Sequence, residues 1–175
     1  MKDAVDRVLE QWHTERPDID PSPMGVIGRL SRITRMLERG LAEVFAQHGL
    51  QPGEFDILAT LRRSGSPYEL TAGALTASSM VTSGAITYRI ERLVAKGLVT
   101  REVDPDNRRS VLIGLTPAGR ELVDTAVVDH YRNEDRLLSP LTQKERTQLA
   151  GLLRKLLVEH EREGRAGADE LEVSR

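Results

Sequence analysis

LVTREVDPDNRRSVLIGL, residues 98–115, is where the chain changes its period. On either side, apolar residues recur every three or four positions, as in helices that bury one face. Inside it, Leu98–Val103 and Ser110–Leu115 are short runs rich in Val, Leu, Ile and Thr. They flank Asp104-Pro105-Asp106-Asn107-Arg108-Arg109, a polar stretch of turn-forming residues. Two such runs joined by such a tip predict an antiparallel hairpin. The fold class is therefore mainly α with a small two-stranded wing.

Working back from the hairpin, Gly97 closes a helix whose inner positions are Ile86, Ile90, Leu93 and Val94, with Thr82 or Ser83 available as its cap. A turn through Ala77-Ser78-Ser79-Met80 precedes it, and a short helix from about Thr71 to Thr76 precedes that turn. Pro52 opens a further helix with inner positions Phe55, Leu58, Ala59 and Leu61, closed at Ser64-Gly65. Supporting helix, short helix, turn, exposed helix and hairpin make a winged helix-turn-helix, assigned to residues 51–115.

Residues 1–50 hold two more helices. The first carries Val5, Val8, Leu9 and Trp12 on one stripe and is broken by Pro17, Pro21 and Pro23. The second runs from Met24 to Phe45 and ends at His48-Gly49. Beyond the hairpin, Thr116-Pro117 starts a helix reaching towards Leu138, and Pro140 interrupts it. Thr142-Gln143-Lys144-Glu145 then reads as a capping box for a last helix with a Leu149, Leu152, Leu153, Leu156, Leu157 stripe. Residues 116–163 form this C-terminal pair, and the charged, glycine-containing 164–175 reads as a disordered tail. Both ends carry more apolar face than one small module needs, which predicts burial against a second copy: a homodimer with N- and C-terminal dimerisation helices.

Composition narrows the function. The net charge is -2 and no cysteine is present, which excludes disulfides, thiolate zinc and cysteine redox switching. The first residues lack the apolar core of a secretory signal, and no stretch has the roughly 20 apolar residues of a membrane span, so a cytoplasmic location is expected. No nucleophile–base constellation, glycine-rich phosphate loop or metal-ligand cluster is present, so the chain does not read as an enzyme and needs no cofactor. His13, His48, His130 and His160 are scattered, and Asp104 and Asp106 fit a turn better than a cation site. Between Thr82 and Arg109, six Lys/Arg stand against four Asp/Glu, a local excess of positive charge in an acidic chain. Double-stranded DNA is the partner this asymmetry suits.

The physics of groove entry favours short side chains at the start of the exposed helix. Thr82, Ser83 and Thr87 are placed to meet base edges or phosphates, with Arg92 and Lys96 further along as phosphate contacts. Arg108 and Arg109 sit on a tight turn suited to a narrow minor groove, Arg109 being the residue expected to enter it. A winged helix used only for protein contact is the rival, but these positions offer no aromatic anchors.

Ala85-Ile86, Tyr88, Leu93-Val94, Gly97-Leu98-Val99, Asn107-Arg108-Arg109, Thr116 and Gly119 together resemble the signature of the MarR family of repressors. The tip differs from the Asp-Arg-Arg often found there, since Asn107 takes the first place and Asp106 stands one residue earlier. The added N-terminal helix with Trp12 is similar to the urate-responsive subgroup of that family. The resemblance implies a ligand site built from Trp12, Asp56, Arg89 and Arg101. Independently of it, Asp56 and Arg89 fall on adjacent helices and are expected to pair when the site is empty. Its chemistry is coherent: two guanidinium groups hold the charge and in-plane oxygens of a flat monoanion, and an indole offers a flat apolar face. A polycarboxylate such as citrate or aconitate satisfies two arginines equally well. The implied function is a homodimeric repressor that releases a pseudo-palindromic operator when such an anion binds.

Overall fold

Capping chemistry sets most of the element boundaries. Helix α1 (Ala4–Glu15) starts at Asp3, whose carboxylate accepts from the Val5 and Asp6 N–H groups while Asp6 accepts from the Asp3 N–H. Helix α2 (Ser22–Gln47) starts inside the proline-rich break, where Asp20 accepts from the Ser22 N–H at 2.9 Å. Helix α3 (Pro52–Arg63) has proline in its first turn, as expected, and Gln51 and Glu54 form a reciprocal cap. These are features of a computed structural model that describes residues 2–79 and 86–173, with side chains described to residue 162. It divides into two units, Met1–Glu134 and Asp135–Arg175.

In the first unit the sheet has three strands, not two. Strand β1 (Glu69–Thr71) precedes helix α4 (Ala72–Ser78), and helix α5 (Ile86–Ala95) leads to strands β2 (Val99–Val103) and β3 (Val111–Leu115). The order is β1-β3-β2, both pairs antiparallel, with Arg101 opposite Ile113 and Leu70 opposite the same residue on the other edge. The hairpin is the one expected. The extra strand is three residues long, too short to show an alternation of its own, and it forms because the far edge of β3 needs hydrogen-bond partners. Gly97 ends the α5 turn at φ 69°, a left-handed conformation that glycine adopts without strain. Helix α6 (Pro117–Leu137) is tied back to this turn: the Thr116 hydroxyl donates to the Gly97 carbonyl at 2.8 Å and accepts from the Gly119 N–H at 3.0 Å.

One apolar core holds these elements together. Phe45 of α2, Ile57, Leu58 and Leu61 of α3, Leu75 of α4, Ile86, Ile90 and Leu93 of α5, Val99 and Ile113 of the sheet and Val123 of α6 are all buried. Burying each such side chain is worth about 1.5–3 kcal/mol, so the core fixes α5 and the wing against α3. Helix α1 packs on α2 through Val5, which is 4% exposed, and Arg29 of α2 pairs with both Asp3 and Asp6.

The second unit holds the end of α6 and helix α7 (Gln143–Val173). Thr142 and Glu145 form the expected cap, with the Thr142 N–H donating to Glu145 Oε2 at 2.8 Å. The helix continues to Val173 rather than fraying near Glu161, through a stretch rich in Glu, Arg and Ala, all strong helix formers. Its stripe of Leu149, Leu152, Leu153, Leu156 and Leu157 is 39–59% exposed.

Candidate nucleic-acid interface

Helix α5 has two faces with different chemistry. Ile86, Ile90 and Leu93 point into the core, and Arg89, Arg92 and Lys96, three and four residues apart, line the side towards α3. The side chain of Glu54 on α3 meets Arg92 and Lys96 and is 0% exposed. Lys96 Nζ donates to Glu54 Oε2 at 2.8 Å and to the Gly49 carbonyl at 2.8 Å, and Arg92 Nε lies 2.9 Å from Glu54 Oε1. Burial alone pushes the Glu54 carboxyl up. The Lys96 hydrogen bond, the Gln51 N–H and the charges of Lys96 and Arg92 outweigh it, holding the group below the ordinary value of 4.5. Arg92 and Lys96, expected at phosphates, thus also neutralise a buried carboxylate and tie α5 to α3, while each stays about one-third exposed (34% and 32%).

Arg89 lies across the backbone of α3. A Cβ added to Gly53 would sit 2.4 Å from Arg89 Nε, so only glycine leaves room for the guanidinium there. Arg89 Nη1 is buried with no hydrogen-bond partner. The Asp56–Arg89 pair expected from the sequence is therefore not made through that atom. Trp12 on α1 is 44% exposed, and Arg101 on β2 is exposed. Among the described residues no ring contact, ion pair or hydrogen bond joins either of them to Arg89.

At the wing tip the backbone is closed by its own side chains. Asp104 Oδ1 accepts from the Asp106 N–H at 2.9 Å and Asn107 Oδ1 from the Arg109 N–H at 3.2 Å. The Asp104 carboxylate therefore serves the turn, as expected, with Asp106 contributing its backbone N–H. Asn107 needs no carboxylate for its part, because an amide oxygen accepts a backbone N–H as well. Arg108 and Arg109 are exposed, and no ion pair among the described residues engages them. Thr87 is exposed on α5; Thr82 and Ser83 lie outside the described residues.

Two contributors were missed from the sequence. Glu54 is one; the only signal for it was the i, i+4 pair Arg92 and Lys96 on a single face of α5, which an acidic residue opposite can meet. Tyr88 is the other, 62% exposed on α5 with the Arg92 guanidinium carbon 5.9 Å from its ring centroid. His48 Nε2 lies 3.1 Å from Asp129 and His130 Nε2 3.2 Å from Glu134. No cluster of potential metal ligands occurs among the described residues, nor any helix long and apolar enough to cross a membrane.

Residues 48–110 match the MarR family. The chain is 42% identical over 149 residues to the HTH-type transcriptional regulator PecS of Dickeya dadantii, covering 85% of this chain and 90% of that protein. It is similar to the structure of Bordetella bronchiseptica BpsR, described as a mechanism for regulation of DNA binding by 6-hydroxynicotinic acid (TM-score 0.63, 30% identity, 74% of this chain and 91% of that one). It is also similar to a mutant of E. coli MarR complexed with operator DNA (TM-score 0.66, 26% identity, 83% and 97% covered).

Proposed function

The chain belongs to the MarR family of transcriptional regulators, and from that premise we propose that it is a homodimeric repressor released from its operator by a small planar anion, urate foremost. Residues 51–115 read duplex DNA; residues 1–50 and 116–163 join the two copies. Similarity to a MarR protein complexed with operator DNA supports the first part. The second is supported by apolar residues left uncovered in each unit: Val26, Ile27, Ile33 and Met36 on α2, 46–63% exposed, and the leucine stripe of α7.

The observation that carries the ligand reading is the buried, unpartnered Nη1 of Arg89. A guanidinium nitrogen without an acceptor is costly, and an anion supplies one. Arg89 stands on the same face of α5 as Arg92 and Lys96, so a ligand that draws Arg89 off Gly53 pulls on the helix that enters the groove. Asp56, Arg101 and Trp12 complete the proposed site. The BpsR effector named above is likewise a flat aromatic acid. A ligand releases DNA only by as much as it prefers the non-binding conformer, and about 1.4 kcal/mol of preference weakens binding tenfold.

The test is fluorescence anisotropy on a duplex selected from a random pool by the wild-type protein. Urate is titrated first, then 6-hydroxynicotinate and citrate. Urate should release the DNA, and Arg89→Ala should remove that response; Trp12→Phe should weaken it without altering DNA binding. Release by citrate but not by either planar acid would replace the planar anion with a polycarboxylate, and no response to any of the three would defeat the ligand reading.

A further inference from the structure

We infer that Tyr88 reads a base in the major groove, its ring packing against a thymine methyl group. This rests on the DNA-binding role proposed above and adds a contact to it. Helix α5 turns by about 100° per residue, so the buried Ile86, Ile90 and Leu93 centre on one direction and Tyr88 points nearly opposite. It occupies the part of the helix that protrudes furthest from the core, with 62% of its surface open. The ring is open to a partner, and among the described residues the cation over it is Arg92, its guanidinium carbon 5.9 Å from the centroid.

Its neighbours select a base over a phosphate. Glu91 and Ala95 are exposed on the same face. A carboxylate beside the ring repels the phosphate backbone, whereas base edges in the major groove carry no net charge. The nearest cation, Arg92, is already engaged by Glu54. What remains is an apolar ring flanked by a small residue, and the thymine C5-methyl is the one apolar group on a base edge. Arg92, whose Nε lies 2.9 Å from the buried Glu54 carboxylate, stands with its guanidinium carbon 5.9 Å from the Tyr88 centroid and so borders one edge of the ring.

The experiment uses the full chain and the selected duplex, with each thymine replaced singly by deoxyuridine to remove its methyl group. Wild type should lose about tenfold in affinity at one position in each half-site. Tyr88→Ala should bind the intact duplex about tenfold more weakly and become indifferent to deoxyuridine at that same position. Tyr88→Phe, which keeps the ring, should behave as wild type. Since the residue is exposed, thermal melting of the variants should match wild type and exclude misfolding.

The phenol hydroxyl separates the alternatives, since a neutral tyrosine releases no counterion and the salt slope stays the same whichever group it meets. A Tyr88→Phe as weak as Tyr88→Ala identifies a hydroxyl contact to phosphate and overturns the inference. So does a deoxyuridine penalty that persists in Tyr88→Ala, or a Tyr88→Ala that binds as tightly as wild type. Should the wild-type protein select no duplex at all, the DNA-binding role itself fails, a result distinct from any of these.

Discussion

The inner face of α5 and the tip of the wing both carry cations, and the structure uses them in opposite ways. On α5, Arg92 and Lys96 converge on a carboxylate with no exposed surface. At the tip, Arg108 and Arg109 are exposed, and the acidic and amide side chains around them bond backbone N–H groups instead. Four basic residues within one short segment thus divide into two that hold a helix in place and two that are open to a partner. Charge read from the sequence gives their number; the burial of the partner decides their work.

The largest expected effect comes from breaking the first region. Glu54→Ala should cost about 2–4 kcal/mol in urea denaturation, because two cations lose a buried counter-charge. The loss should lie towards the lower end, since Arg92 and Lys96 are themselves 34% and 32% exposed. A change below about 0.5 kcal/mol, ordinary for a surface site, would mean that Glu54 does not organise the face. The wing should respond the other way round. Arg109→Ala should leave stability within about 0.5 kcal/mol of wild type. Its DNA affinity should fall about tenfold, with the salt slope reduced by about one. A stability loss without an affinity loss would erase the distinction between the two regions.

The smallest effect sharpens the contrast from outside both regions. At the start of α1, the backbone N–H of Asp6 and then the Arg29 guanidinium hold the Asp3 carboxyl down to about 2, against an ordinary value of 3.8. A lowered carboxylate stabilises the folded form above its ordinary value and loses that stabilisation as the pH falls through the lowered one. The docking of α1 should accordingly be complete above about pH 4 and weaken towards about pH 2. Trp12, the only tryptophan, reports it by fluorescence. Asp3→Asn should remove that transition, and an identical acid profile in the variant would assign it elsewhere.

Much of the fold was legible because its signals are local. Pro52, Thr116-Pro117 and the Thr142–Glu145 box each specify a helix start within a few residues, and all three stand where the pattern puts them. The wing hairpin was legible from its change of period. Strand β1 was not, because three residues carry no period and its partner, β3, lies far along the chain, with Glu69 opposite Gly114. Glu54 was hidden for a related reason. On α3 alone a glutamate belongs in water, and its burial makes sense only once Lys96, 42 positions later, is brought beside it. Arg92 and Lys96 were placed at DNA by charge, and the geometry adds an ion pair from each to Glu54. Of the ligand set, the sequence supplied residue types; the structure adds the open Nη1 of Arg89 and leaves Trp12 exposed.

Methylation protection with dimethyl sulfate, which attacks guanine N7 in the major groove and adenine N3 in the minor groove, tests most directly whether α5 and the wing of the wild-type protein grip its selected duplex in duplicate. Two protected major-groove segments should appear with centres about one helical turn, or about 10 bp, apart, each flanked by protection in the adjacent minor groove where Arg109 enters. The Arg109→Ala variant should keep the former and lose the latter. A single protected segment, or protection that Arg109→Ala leaves whole, would contradict it.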